Sequence, residues 1–133
     1  SMNAALGISQ MSKIERIIKM RRDNVNYFKQ ELKDPRIKFM KEQDDERAVY
    51  QLLTLVLPDE KRRDDLKKHL ESNHIMSKIY FNGSHLKSIY SEWGYTKGDL
   101  PITEELSKKV LTIPLFPHMD KERKIIAEAI KKW

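Results

Sequence analysis

His85 stands just past an Asn82-Gly83 break, inside the stretch Ile79–Tyr90 that reads IYFNGSHLKSIY. A neutral imidazole in such a corner can hydrogen-bond a ligand or position a phosphate, because its two ring nitrogens play distinct roles and its charge changes near neutral pH. Tyr80, Asn82, Ser84 and Lys87 flank it, and the five together form the candidate binding corner for a small ligand. Lys87 would supply a cation there, although a lysine at a surface is more often simply solvated. The competing reading of His85 is structural, since a lone histidine beside apolar residues more often packs than binds. No residue of the chain sits in a context that marks it as catalytic.

Other site chemistries lack their residues. The remaining histidines, His69, His74 and His118, form no helical pair with an intervening acid of the kind that holds zinc. No carboxylates follow a calcium-loop spacing, and no serine lies in a nucleophile elbow. The four glycines are scattered, so no glycine loop cradles a phosphate. No metal is expected. Asn82-Gly83-Ser84 matches a glycosylation acceptor, but a cysteine-free chain without a signal-peptide pattern is not expected to meet that machinery.

The elements that position this corner must come from 133 residues, enough for one domain with one core. Hydrophobic residues make up 39% and charged residues 35%, the balance of a globular chain with a densely charged surface. The absence of cysteine excludes disulfides and thiolate sites and fits a cytoplasmic location. No apolar run is long enough to span a membrane. Net charge is +6, but 26 basic residues are interleaved with 20 acidic ones. The excess, thickest along Lys13–Lys38, therefore reads as a solvated helix face rather than a nucleic-acid site, and no aromatic residues interleave with it for stacking. Ser1-Met2 reads as a cloning remnant.

Met11, Ile14, Ile18, Val25, Phe28 and Leu32 recur at three- and four-residue spacing, which predicts one long helix over 4–33 with an apolar stripe broken only by Arg21. Asp34-Pro35 ends it, because proline disfavours helical geometry in the residue before it. The body of the domain then runs over 39–133. Phe39-Met40 is expected at a sheet edge. Ala48–Leu57 is apolar on both alternating sets and should be a central strand covered on both sides. Asp59 should cap a helix to Ser72, with Leu66 and Leu70 inward and Asn73 stopping it in the left-handed region. Ile75–Phe81 reads as the next strand. A short helix with Leu86, Ile89, Tyr90 and Trp93 follows, ended by Gly94. Pro101 opens a further helix, with Glu104 and Glu105 near its positive end and Ile102, Leu106 and Val110 inward. Thr112–Leu115 should be an edge strand between prolines, and Asp120 should cap a last helix bearing Ile125, Ile126, Ala129 and Ile130. The order predicts an α+β fold: helices on a small, mainly antiparallel sheet.

Four segments, in order, resemble the DegT/DnrJ/EryC1/StrS sugar aminotransferases, a pyridoxal-phosphate family of the aspartate-aminotransferase fold. Ala4-Ala5-Leu6-Gly7-Ile8-Ser9-Gln10 resembles the family's AALG-x-x-Q helix. Ala48-Val49-Tyr50 resembles its RAVYH strand start, with Gln51 in place of histidine. Ile79–Tyr90 resembles YYPPLHLQPAY, and Leu111–Met119, LTIPLFPHM, is similar to LSLPLFPHM. Ser84-His85-Leu86-Lys87 has the spacing of the family's lysine motif, but the glycine-acid-glycine stretch that follows that lysine is absent. The resemblance implies the C-terminal small domain of a larger enzyme, whose large domain carries the cofactor lysine. It further implies amino transfer from glutamate to a keto group on a nucleotide-linked sugar, with His85 facing the sugar site. Pyridoxal phosphate is expected in the intact enzyme and not on this chain alone. The partner is then the missing large domain, and a homodimer fits as well. A stand-alone module that pairs with an aminotransferase or binds a nucleotide sugar is the alternative. Gly83-Ser84 replaces proline-leucine, Lys87 replaces glutamine, Ser88 replaces proline and His74 replaces a glycine.

Overall fold

Three short strands order the chain in a computed structural model that describes residues 1–133. Lys38–Phe39 (β1), Leu53–Val56 (β2) and Val110–Ile113 (β3) form an antiparallel sheet in the order β1-β2-β3, with Leu53 opposite Ile113 and Leu55 opposite Leu111. The helices are Met2–Met11 (α1), Ile14–Glu31 (α2), Glu60–Ser72 (α3), Pro101–Lys109 (α4) and Glu122–Lys131 (α5). Val25 and Phe28 of α2, Leu66 and Leu70 of α3, and Ile126 and Ile130 of α5 join Leu53, Leu55, Leu57, Leu111 and Ile113 in one core. The α+β reading with an antiparallel sheet and a central β2 is therefore correct.

The chain departs from several local expectations. The long N-terminal helix is two helices. Ser12 Oγ donates to the Ser9 carbonyl at 2.9 Å, the local side-chain competition that interrupts a helix. The stripe divides at the same place: Ile18, Val25, Phe28 and Leu32 are buried, whereas Met11 is 67% exposed. Arg21, which interrupts the stripe, donates through Nη1 to the Tyr50 and Gln51 carbonyls at 3.0 Å each. Arg22 takes the Ala48 carbonyl at 2.8 Å and grips Glu42 with both guanidinium nitrogens. With these acceptors committed and Tyr50 at φ 48°, the expected strand from Ala48 begins only at Leu53. Its two faces are also unequal, Leu53 and Leu55 buried and Thr54 and Val56 partly exposed.

Asp59 caps α3 as expected, its Oδ1 accepting from the Arg62 amide at 2.8 Å. Replacing Asp59 with alanine should cost about 1 kcal/mol of stability, read as a lowered urea midpoint at unchanged slope. The residue that turns left-handed after α3 is His74, at φ 59°, and not Asn73. At the last helix, Asp120 pairs with Arg123 at 3.1 Å, and the helix starts beyond it without a side-chain cap. Ile126, Ala129 and Ile130 are buried as expected, but Ile125 is exposed.

The expected strand Ile75–Phe81 shrinks to one bridge. Lys78 and Thr112 exchange backbone hydrogen bonds at 3.0 and 2.7 Å. The next bonded pair in that register would match Met76 with Pro114, and proline has no amide hydrogen to give. The ladder stops there. Beyond it the amphipathic helix gives way to two short 3-10 helices, Ser84–Leu86 and Ser88–Trp93, ended by Gly94 at φ 75° as the sequence suggests. Leu86, Ile89 and Trp93 face outward, and so do Ile102 and Leu106 of α4, against the expectation that the last two line its inner face.

Candidate functional site

The corner splits into an open groove and a buried histidine. Tyr80 lines a groove of about 330 Å³ with Gln51, Leu52, Lys78, Thr112, Pro114 and Leu115, along the outer edge of β3 where the ladder failed. Asn82, Ser84 and Lys87 are exposed. His85 is only 7% exposed and turns the other way, its Nε2 3.3 Å from Glu104 Oε1. Of the five candidates only Tyr80 lines the groove and His85 is buried, so the structure does not bring the five onto one surface.

Local backbone dictates this inward turn. At Gly83 a Cβ would lie 2.9 Å from His85 Cε1 and 3.3 Å from Nδ1, so the absent side chain leaves room for the ring beside the chain, and any larger residue would push the ring from its place. The tight 3-10 turn at Ser84–Leu86 then aims the ring at α4, and Tyr95 meets it edge-on with centroids 6.1 Å apart. Glu104 Oε1 also accepts the Gly98 amide at 2.7 Å, so one carboxylate oxygen gathers two points of the segment. Asp99 closes its own turn by accepting from the Thr96 amide and hydroxyl at 2.6 and 3.0 Å. From the sequence Glu104 reads only as an acid favoured near a helix N-terminus, because its partners lie 6 and 19 residues away, beyond any periodicity.

The Gly98 amide, above all, holds the Glu104 carboxyl below the usual glutamate range, with help from the His85 hydrogen bond and against the opposing effect of burial. A depressed carboxylate stabilises the folded state above the ordinary glutamate pKa and loses that contribution as pH falls through the lowered value. Amide exchange of residues 82–99, corrected for intrinsic rates, should therefore rise as pH drops through the acid range below the ordinary glutamate value.

Elsewhere, a polar groove of about 600 Å³ is lined by Glu15, Arg16, Lys19, Arg22, Asp23, Asn26 and Arg47. Its cations are largely paired: Lys19 with Asp23, Arg22 with Glu42, and Arg47 with Glu15. Exposed pairs of this kind contribute little stability and leave few free charges for phosphates. No helix is long and apolar enough to cross a membrane.

The comparisons agree with one another. A sequence model of the DegT/DnrJ/EryC1/StrS aminotransferase family matches residues 1–131. GDP-perosamine synthase from Vibrio cholerae is 29% identical over 133 residues, which is 98% of this chain and 36% of that protein. Among solved structures, DesV of S. venezuelae superposes with a TM-score of 0.88 at 24% identity, over 99% of this chain and 36% of its own. Spr1654 from Streptococcus pneumoniae, in its PLP form, gives a TM-score of 0.86 at 20% identity, over 97% of this chain and 34% of its own. At those identities the structural likeness speaks for the fold. The chain spans about a third of the length of the relatives it matches.

Proposed function

We propose, from the premise that this chain belongs to the DegT/DnrJ/EryC1/StrS aminotransferase family, that it is the small C-terminal domain of a pyridoxal-phosphate-dependent sugar aminotransferase. The observation that carries this reading is the match over residues 1–131 to proteins roughly three times longer. In this reading the intact enzyme moves an amino group from glutamate to a keto group of a nucleotide-linked sugar in the cytoplasm. The cofactor, when bound, supplies the electron sink for that transfer.

The residues of this chain do not fit a cofactor cradle. None of its lysines is buried. The groove beside Tyr80 offers one lysine, Lys78, and its Thr112 Oγ1 is already bonded to Thr54 Oγ1 at 2.8 Å. The cofactor is then held by a part of the enzyme outside residues 1–133, and this chain alone is inactive. Its contribution is a wall of the sugar site: Tyr80, Asn82, Ser84 and Lys87 at the surface, with His85 beneath them. Lys87 is suited to a phosphate of the nucleotide as a point charge.

A second reading, a separate module that docks on an aminotransferase or binds a nucleotide sugar itself, draws on α1. Leu6, Ile8 and Met11 are each at least 60% exposed there, an apolar surface that calls for a partner. An antibody against this chain, used on native lysate, separates the two. The first reading expects a band well above 15.8 kDa, and a band at 15.8 kDa would overturn it in favour of the second.

A further inference from the structure

We infer that His85 and Glu104 form a clasp that sets the shape of residues 82–99, so that His85 acts as a positioning residue and not as a substrate contact. Three observations converge on this. From Met76 to Lys109 the chain buries a single residue, and it is His85. The hydrogen bonds of residues 82–99 stay within that segment, with two exceptions, and both end on Glu104 Oε1: His85 Nε2 at 3.3 Å and the Gly98 amide at 2.7 Å. Gly83 completes the arrangement, because a side chain there would collide with the buried ring.

Apart from local turns and the stacking of Tyr90 on Trp93, little else holds the segment to the rest of the domain. Leu86, Ile89, Trp93 and Tyr95 are 46%, 74%, 63% and 47% exposed, so hydrophobic burial within the chain does little for it. Few buried contacts and a local hydrogen-bond set are the marks of a segment that opens at low free-energy cost. Glu104 sits on α4, whose Ser107 carbonyl accepts from the buried Arg63 guanidinium of α3 at 3.2 Å. The clasp therefore ties the segment to the core through α4 and α3. The charged and titratable groups that face the ring are Glu104 from α4, with Asp99 and Tyr95 from the segment itself.

The proposal deepens the sugar-site reading and rests on it only for its functional arm. The first arm measures hydrogen exchange on this chain. Glu104→Ala should speed exchange of the Gly98 amide about tenfold or more, and loosen 82–99 with it, while Leu55 and Leu111 exchange as before. Glu104→Gln keeps an acceptor for Gly98 and should restore most of the protection. Unchanged Gly98 exchange in Glu104→Ala overturns the clasp. Should that variant fail to fold, His85→Ala carries this arm with the same expected and overturning results for the segment.

The second arm measures kinetics of the complete protein. His85→Ala and Glu104→Ala should each raise KM for the sugar substrate severalfold with a smaller change in kcat, and the double variant should do no worse than either single one. A raised KM in His85→Ala alone, with Glu104→Ala unaffected, makes His85 a direct contact and overturns the positioning role. If wild-type protein shows no transamination, the functional reading fails, and the exchange arm still decides the clasp.

Discussion

Phe28→Ala is expected to destabilise the fold by about 3–5 kcal/mol, the range for emptying the site of a fully buried phenyl ring. Phe28 has no exposed surface, and its ring meets Tyr27 edge-on at 6.1 Å. It joins the one core in which α2 meets the sheet and α5. The loss divides into the transfer of the ring from a dry interior to water and the cavity that the neighbours only partly fill. Because a domain of this size gives up only about 5–15 kcal/mol on unfolding, such a loss removes a large share of its stability. A drop in melting temperature of roughly ten degrees or more should follow, read by circular dichroism. Phe28→Leu, which keeps most of the apolar volume, should cost much less.

Asn24→Asp should cost about 2–4 kcal/mol although it changes only one atom of the side chain. Asn24 is 2% exposed and uses its whole amide. Nδ2 donates to the Phe116 and Pro117 carbonyls at 2.9 and 3.1 Å, and Oδ1 accepts from Arg123 Nη1 at 2.9 Å. The substitution keeps the Arg123 contact but replaces the donor with an oxygen facing two carbonyl oxygens. Two partly buried acceptors lose their partner, and an anion meets them instead. Chemical denaturation at neutral pH measures the loss. Asn24→Ala, which removes the amide without adding charge, should fall between the wild type and Asn24→Asp.

These two residues also mark where sequence was and was not informative. Phe28 lay on a helical stripe, and such a stripe reports burial whenever the chain supplies its own cover. The same rule worked for Leu66, Leu70, Ile126 and Ile130, and the Asp59 cap followed from local chemistry alone. Asn24 carried no such signal, because its partners lie 92 and more residues away. Between Ile75 and Lys109 the rule misled. Leu86, Ile89, Trp93, Ile102 and Leu106 have helical spacing, yet they face outward. On the proposed reading these side chains await a surface that residues 1–133 do not contain. Periodicity identifies a face that will be covered, and it is silent on which body covers it. The candidate corner was legible as a place, through the Asn82-Gly83 break, but not as a geometry. Whether His85 faces a ligand or the interior depends on a clasp with Glu104 that only the fold assembles.

On the Met76 side of the Lys78 bridge, Pro114 has no amide hydrogen to extend the ladder, and the groove that Tyr80 lines runs along this edge of β3.

On the proposed function, this chain shapes a sugar site while another part of the enzyme holds the cofactor. Borohydride reduction in the presence of pyridoxal phosphate, followed by peptide mass mapping, tests it most directly on the isolated chain and on the complete protein in parallel. A stoichiometric adduct should form at one lysine of the complete protein, outside residues 1–133, and none on the isolated chain. A stoichiometric adduct at a single lysine within residues 1–133 would contradict it.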